Sequence, residues 1–224
     1  MEGLDFSVRS KKRDLPGMFI ALEGIDGSGT TTQAKLLADW FAAKKLQVYA
    51  TFEPTDGRVG RLIREYLSGK VDVPDVDRHF HALALLFAAD RLDHLAREVE
   101  PRLKAGTHVI SDRYLLSSIV YQSLHCDPAW INAINAEAPP PGLTVLIDLP
   151  AEIAMERLAR RNLFEASEIY ETLDQQEKLR ERYLEAARSL SLGQQIVVVD
   201  GGQDPDLVLQ KITAQVESRL KNLG

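Results

Sequence analysis

Met18-Phe19-Ile20-Ala21-Leu22-Glu23-Gly24-Ile25-Asp26-Gly27-Ser28-Gly29-Thr30-Thr31-Thr32 decides the fold of this chain. An apolar run leads into a glycine-rich turn, and a helical pattern from Thr32 to Lys45 follows. Strand, turn and helix in that order suit a phosphate-binding loop. The glycines let backbone N–H groups turn inward, and the helix N-terminus adds positive potential. The template is G-x-x-x-x-G-K-[ST]. Gly24, Gly29 and Thr31 satisfy it, but Thr30 stands at the lysine position. Gly24, Ile25, Asp26, Gly27, Ser28, Gly29, Thr30, Thr31 and Thr32 are the candidate cradle for nucleotide phosphates. The loop points to a nucleotide kinase or NTPase that lacks one expected cation.

Outward from the loop, strand-like and helix-like stretches alternate. Met18–Glu23, Leu46–Thr51, His108–Asp112, Thr144–Leu149 and Gln195–Asp200 are short and apolar without strict alternation, as strands buried on both faces are. Helical segments lie between them: Thr32–Lys45, Gly60–Ser68, Asp75–Lys104, Leu115–Leu124, Ala151–Arg161, Ser167–Leu192 and Asp204–Asn222. In the last, Leu207, Ile212, Val216 and Leu220 share one face, while Gly106 and Gly193 sit where helices should stop. Repeated β–α units predict an α/β fold with a five-stranded parallel sheet and helices on both faces. Ligands of such sheets bind at the carboxyl ends of the strands, so the residues just after each strand carry the functional information.

Composition narrows the function. The chain has 224 residues, of which 45% are hydrophobic and 27% charged, enough for one domain with a buried core. A net charge of −6 argues against a nucleic-acid surface, which needs clustered excess cations. The longest apolar run, Ala82 to Ala89, is far too short for a bilayer. The lone Cys126 allows no internal disulfide and fits a reducing cytoplasm. Beside His125 it reads as a loop or core cysteine, because no third orienting group is evident. Residues 1–17 hold Arg9, Lys11, Lys12 and Arg13 without a signal-peptide apolar segment, and read as a flexible extension before one domain over 18–224.

The second informative stretch is His108-Val109-Ile110-Ser111-Asp112-Arg113-Tyr114. An apolar strand ending in Asp can hold Mg²⁺ opposite the Thr31 hydroxyl. Arg113 then follows into the cleft, where its planar fork of donors suits a phosphate. Taken alone, Asp-Arg-Tyr reads equally well as a salt-bridged strand end. After a glycine loop in an α/β chain it gains weight.

From Met18 onward the chain resembles the thymidylate (dTMP) kinases, which are P-loop nucleoside monophosphate kinases. The supporting segments are the loop itself, Phe52-Glu53-Pro54, Leu86-Phe87-Ala88-Ala89-Asp90-Arg91, Asp112-Arg113-Tyr114-Leu115-Leu116-Ser117-Ser118-Ile119-Val120-Tyr121-Gln122 and Leu146-Ile147-Asp148-Leu149-Pro150. The resemblance implies a three-layer P-loop NTPase fold, ATP and Mg²⁺ as cofactors, nucleotides as partners and a homodimer. It implies that Phe87 stacks on thymine, that Arg91 reaches a thymine carbonyl and that Ser118 and Gln122 bond the base. Tyr121 would crowd the 2′ position and Asp26 would engage the 3′-hydroxyl or a metal-bound water. Arg64 and Arg113 would clamp the acceptor phosphate, with Glu53 close by. Asp148 would be structural, at the base of a lid. Thr31 and Asp112 are the implied metal ligands, and Asp112, Arg113, Arg160 and Arg161 the implied catalytic residues.

The implied lid covers about residues 157–168, beginning Arg157-Leu158-Ala159-Arg160-Arg161-Asn162-Leu163-Phe164-Glu165. Such lids exclude water. The lid cations gain importance from Thr30, since losing one charge-stabilising donor costs roughly 10²–10³ in rate. Lys35 lies about 140° around the helix from Thr30, and Lys44 and Lys45 lie roughly 20 Å along its axis. Rescue is therefore expected from the lid arginines rather than from within the helix, with Lys11-Lys12-Arg13 a distant second. The expected activity is dTMP phosphorylation. Two other readings stay open, a nucleotide-binding homologue without phosphoryl transfer and a kinase for another deoxynucleotide such as dUMP.

Overall fold

The computed structural model describes residues 15–72, 74–161, 172–190 and 195–221. Its five strands are β1 (Phe19–Glu23), β2 (Val48–Phe52), β3 (His108–Asp112), β4 (Leu143–Asp148) and β5 (Ile196–Asp200). All pair in parallel, in the order β2-β3-β1-β4-β5. The helices are α1 (Thr30–Ala43), α2 (Arg58–Leu67), α3 (Val76–His94), α4 (Glu100–Lys104), α5 (Leu115–Gln122), α6 (Pro128–Ile134), α7 (Ala151–Arg161), α8 (Leu173–Leu190) and α9 (Pro205–Leu220). The expected α/β architecture is what forms, with helices on both faces.

Alternation along β1 explains the layers. Phe19 and Ala21 enter one apolar cluster, which Ile63 of α2, Leu83 of α3, Ile119 of α5, Ala154 of α7 and Leu179 of α8 complete. Ile20 and Leu22 enter the other, with Leu37 and Phe41 of α1 and Val208, Ile212 and Val216 of α9. Every residue of β1 is buried. Buried on both faces, the strand is apolar from Phe19 to Leu22, and only Glu23 at its end is charged. In α9 the buried stripe runs through Val208 rather than the expected Leu207, which is 50% exposed. Val208, Ile212 and Val216 recur every four residues, the spacing that keeps one helix face inward.

Two elements differ from the sequence reading. The expected helix Asp75–Lys104 is interrupted by a π-turn at Leu95–Val99. Pro101 begins the next turn without an N–H to donate, and its ring crowds the preceding carbonyls, so the helix widens there. Helix α6 was not expected at all. Its start is nonetheless encoded, because the Asp127 carboxylate accepts from Ala129 and Trp130 N–H and Pro128 occupies the first helical position. Gly106 ends α4 at φ +83°, where its N–H donates to the Leu103 carbonyl. Gly193 lies outside the described residues.

The register of β1 against β3 positions the functional loops. Leu22 pairs with Asp112, so the glycine loop after β1 leaves the sheet beside Asp112 and Arg113. Glu23 fixes this junction. Fully buried, its carboxylate accepts from the Tyr114 N–H at 3.0 Å and the Ser117 hydroxyl at 2.5 Å. Burial pushes the Glu23 carboxyl up to about 7 from an ordinary 4.5, against the opposing pull of Ser117, Arg113 and Arg91. The native state therefore holds a proton that the unfolded chain releases near 4.5. The resulting stability is complete below that pH and is lost as the pH rises through 7, about 3 kcal/mol in all. Urea unfolding between pH 4.5 and 7 should show the wild type losing about that much stability relative to Glu23→Gln. Parallel pH profiles for the two proteins would show that Glu23 is not the responsible group.

Candidate active site

Two cavities open at the carboxyl ends of the strands. The larger, of about 460 Å³, is lined by Asp26, Gly27, Ser28, Gly29, Thr30, Thr31, Thr32 and Gln33, and by Arg113, Arg157, Leu158, Gly201, Gln203, Pro205 and Val208. The smaller, of about 230 Å³, is lined by Asp26, Glu53, Pro54, Arg64, Leu67, Phe87, Arg91, Arg113, Tyr114, Ser117, Ser118, Tyr121 and Gln122. The structure thus brings together all nine residues singled out for the acceptor: Asp26, Glu53, Arg64, Phe87, Arg91, Arg113, Ser118, Tyr121 and Gln122. Asp26 and Arg113 line both cavities.

The larger cavity is an anion cradle by construction. Gly29 precedes α1 at φ +101°, with no side-chain cap on the helix and no acidic residue in its first turn. The leading amides of α1 therefore face the cavity with no carboxylate of their own helix to satisfy them. Gly27 adopts φ +80°, and a Cβ there would stand 2.5 Å from the Ala154 carbonyl. At Gly24 a Cβ would meet Ser28 Oγ at 2.5 Å and the Ile147 carbonyl at 2.7 Å. Ile25 is 2% exposed and belongs to the core. These two residues shape the loop from beneath while Asp26 to Thr32 line the cavity.

Thr31 donates its hydroxyl to Asp112 Oδ2 at 2.5 Å, and Asp112 Oδ1 is buried without a hydrogen-bond partner among the described residues. A hydroxyl and a carboxylate with a spare buried oxygen make a fitting pair of ligands for a hard cation. No group of three or more His, Cys, Asp or Glu side chains among the described residues could hold a metal by itself. Phosphate and water oxygens would complete the shell, as is usual for Mg²⁺.

Among the described residues, the cations lining the larger cavity are Arg113 and Arg157. Arg157 donates to the Gly201 carbonyl at 3.1 Å and the Ser28 carbonyl at 3.4 Å, bridging the glycine loop and the β5–α9 turn. Arg157 is one of the lid arginines expected to make up for Thr30, although only Arg160 and Arg161 are named as catalytic from the sequence; Arg157 is the one found lining the cavity. Arg160 is 82% exposed, stands 3.9 Å from Glu156 and lines neither cavity. Arg161 ends α7, and its side chain, like residues 162–168 of the expected lid, lies outside the described residues. So does Lys11-Lys12-Arg13.

In the smaller cavity the polar groups are held by buried partners. Arg91 is 1% exposed and forms an ion pair with Glu53 at 2.9 Å. It also donates to Asn135 at 2.5 Å, to Ser118 at 2.7 Å and to the Tyr114 carbonyl at 3.2 Å. Buried charge of this kind persists only when paired and hydrogen-bonded. His94, itself buried, holds the other Glu53 oxygen at 3.0 Å and reaches Thr51 at 2.8 Å. Arg64 donates to the Thr55 carbonyl at 2.7 Å and the Pro54 carbonyl at 2.9 Å, tying α2 to the turn after β2. The buried Asp90 fixes that turn from α3 through the Thr55 N–H and hydroxyl, both at 2.7 Å.

At the junction of the cavities, Arg113 Nη2 donates to Asp26 Oδ1 at 2.5 Å and Tyr121 donates to Asp26 Oδ2 at 3.0 Å. Burial holds the Tyr121 hydroxyl protonated well above the usual tyrosine range. Arg113 sits at φ +69° although it carries a full side chain. That conformation costs on the order of 1–3 kcal/mol and persists where the surroundings over-determine it. Asp148, at the end of β4, is held by Arg180 at 2.7 Å and 3.0 Å and lines neither cavity. Cys126 is buried, and burial raises its thiol pKa, in keeping with a core role.

Comparison with known proteins agrees with this geometry. The family model described as thymidylate kinase matches residues 22–212. A probable thymidylate kinase of Thermococcus kodakarensis is 41% identical over 207 residues, covering 91% of this chain and 98% of that protein. One of Pyrobaculum aerophilum is 42% identical over 203 residues, covering 89% and 96%. One of Methanococcus maripaludis is 46% identical over 166 residues, covering 74% and 75%. A phosphate loop, a strand-end carboxylate beside it and a second cavity joined to the first thus stand in a chain that matches these kinases across most of its length, and the chain belongs to the thymidylate kinase family.

Proposed function

We propose that this protein transfers the γ-phosphoryl group of ATP to dTMP, yielding dTDP and ADP. One observation carries the reading: a nucleoside-sized cavity and a phosphate cradle meet at Asp26 and Arg113. A dTMP phosphate oxygen is already ionised near neutral pH, so no general base is required. Its lone pair forms the new bond to the γ-phosphorus, while the bond to the β–γ bridging oxygen breaks and ADP leaves with that electron pair. The protein's work is positioning and charge stabilisation.

The residues divide that work. The α1 amides and the loop from Asp26 to Thr32 hold the ATP phosphates. Thr31 and Asp112 would hold Mg²⁺, which supplies charge neutralisation at those phosphates when bound. Arg64 and Arg113 hold the acceptor phosphate, and Glu53 keeps Arg91 in place. Phe87 faces the base, with Arg91, Ser118 and Gln122 at its edge. Tyr121 and Asp26 stand at the sugar, where the Tyr121 ring leaves little room for a 2′-hydroxyl.

The charge absent at Thr30 comes from segments outside the loop. Arg113 and Arg157 supply it from the cavity wall, and Arg160 and Arg161 join them when a lid over about 157–168 closes. A protein with no catalytic role would have little reason to keep both an acceptor cavity and the Thr31–Asp112 pair. The free Cys126 and the lack, among the described residues, of any helix long and apolar enough to cross a membrane support a cytoplasmic enzyme acting on small nucleotides. Exposed Phe52, Leu62, Leu85 and Leu92 on β2, α2 and α3 are in keeping with a homodimer.

Steady-state assays with ATP and Mg²⁺ test the reading: turnover is expected with dTMP, weaker turnover with dUMP and little with AMP or GMP. Tight dTMP binding without turnover would instead indicate a binding protein. Asp112→Asn is expected to lower kcat roughly 10²–10³-fold, as removal of a charge-stabilising group does, and EDTA should abolish the wild-type rate. Replacing Arg160 and Arg161 together by Ala should likewise cost about 10²-fold or more, whereas Thr30→Lys should keep or raise the rate. Wild-type kinetics in the double variant would refute the lid's part in replacing the loop lysine.

A further inference from the structure

Helix α8 reaches the junction of the two cavities at two points. Tyr183 and Gln176 lie two turns apart on one face of α8, both fully or almost fully buried. The Tyr183 hydroxyl stands 3.3 Å from Arg113 Nη1, and the Gln176 amide donates to Asp26 Oδ2 at 3.2 Å. One helix therefore touches both members of the Arg113–Asp26 ion pair. Ser117 of α5 joins them. Its hydroxyl lies 2.5 Å from Glu23, 2.8 Å from the Tyr183 hydroxyl and 3.3 Å from Arg113 Nη1.

The direction of these hydrogen bonds follows from counting protons. Once the pH rises through about 7 and Glu23 is ionised, it takes the single hydroxyl proton of Ser117. Tyr183 must then donate to Ser117. Burial, with the Glu23 charge beside it, holds Tyr183 protonated, so it has that proton to give. Both hydroxyls consequently turn lone pairs toward Arg113 Nη1, which also donates to the Gly24 carbonyl at 2.7 Å. Nη1 and one side of Nη2 are thus engaged, and among the described residues none takes Nε–H or the second Nη2 hydrogen, which suit a phosphoryl oxygen. The groups around Arg113 are Asp26 of the loop, Tyr121 of α5, Tyr183 of α8 and Asp112 of β3, and Arg91 of α3 faces Glu23.

We infer that Tyr183 and Ser117 are positioning residues for phosphoryl transfer: they fix the Arg113 guanidinium between the two cavities, and Gln176 fixes its partner Asp26. The inference rests on the dTMP kinase reading. Its content is mechanical. A guanidinium free to rotate about its long side chain would meet the acceptor phosphate and the γ-phosphoryl group at varying angles, and in-line displacement tolerates little misalignment.

A double-mutant cycle tests it. Tyr183→Phe keeps the packed ring and removes one acceptor from Arg113. It is expected to lower kcat for dTMP about tenfold and to leave the KM for ATP within about twofold. In an Arg113→Ala background the same substitution should change kcat by less than about twofold, because its target is gone. Ser117→Ala should behave likewise, and Ser117→Ala with Tyr183→Phe should cost little more than either alone. Thermal midpoints establish that each variant is folded. Equal fold-losses in both backgrounds, or no loss from Tyr183→Phe in an active wild type, would assign Tyr183 to packing and overturn the positioning role alone. A wild type that does not phosphorylate dTMP would overturn the functional reading, and this inference with it.

Discussion

The parallel pairing of β1 with β3 is the constraint on which the site depends. Leu22 opposite Asp112 sets where the glycine loop leaves the sheet, and so sets Thr31 against Asp112 and Gly24 against Arg113. A slip of one residue would reverse every side chain on β1 between the two core clusters, so burial on both faces locks the register. Glu23 reinforces the lock from inside, since its carboxylate ties the end of β1 to the first turn of α5. Catalytic geometry and core packing are therefore two readings of one alignment.

Much of this was legible from residue order alone. Each of the five strands is short and largely apolar, and each forms close to where its pattern lies. The residues lining the smaller cavity were legible because strand ends, the C-terminal half of α3 and helix α5 carry them in compact motifs. What escaped were partnerships across long stretches of chain. Tyr183 sits 70 residues from Arg113, and Gln176 sits 150 residues from Asp26, in a helix whose other residues are largely charged. Neither carries a local signature, because a buried hydroxyl or amide in a polar helix looks like any surface residue until the helix docks. Helix α6 escaped for a different reason: it is seven residues long and buries little beyond Ile131. The π-turn before Pro101 was encoded by the proline itself, whose effect inside a long apolar pattern is easily passed over.

Replacing the loop lysine by Thr30 shifts the electrostatic load without emptying the site of charge. Arg113 is held by the Gly24 carbonyl and Arg157 spans the loop and the β5–α9 turn, so both guanidiniums line the larger cavity from its walls rather than from the glycine loop. Arginine keeps its charge in buried surroundings where an ammonium would tend to lose it. Asp26 holds the orientation of Arg113, and two backbone carbonyls hold that of Arg157.

The start of α1 has a wider consequence. Its leading amides have neither a capping side chain nor an acidic residue in the first turn, so the helix gives up a stabilising device that most helices use. On the proposed reading, a bound triphosphate would supply what the missing cap does not. Resistance to heat and proteolysis should therefore track the cellular nucleotide pool by mass action, tying the enzyme's lifetime to the abundance of what it consumes.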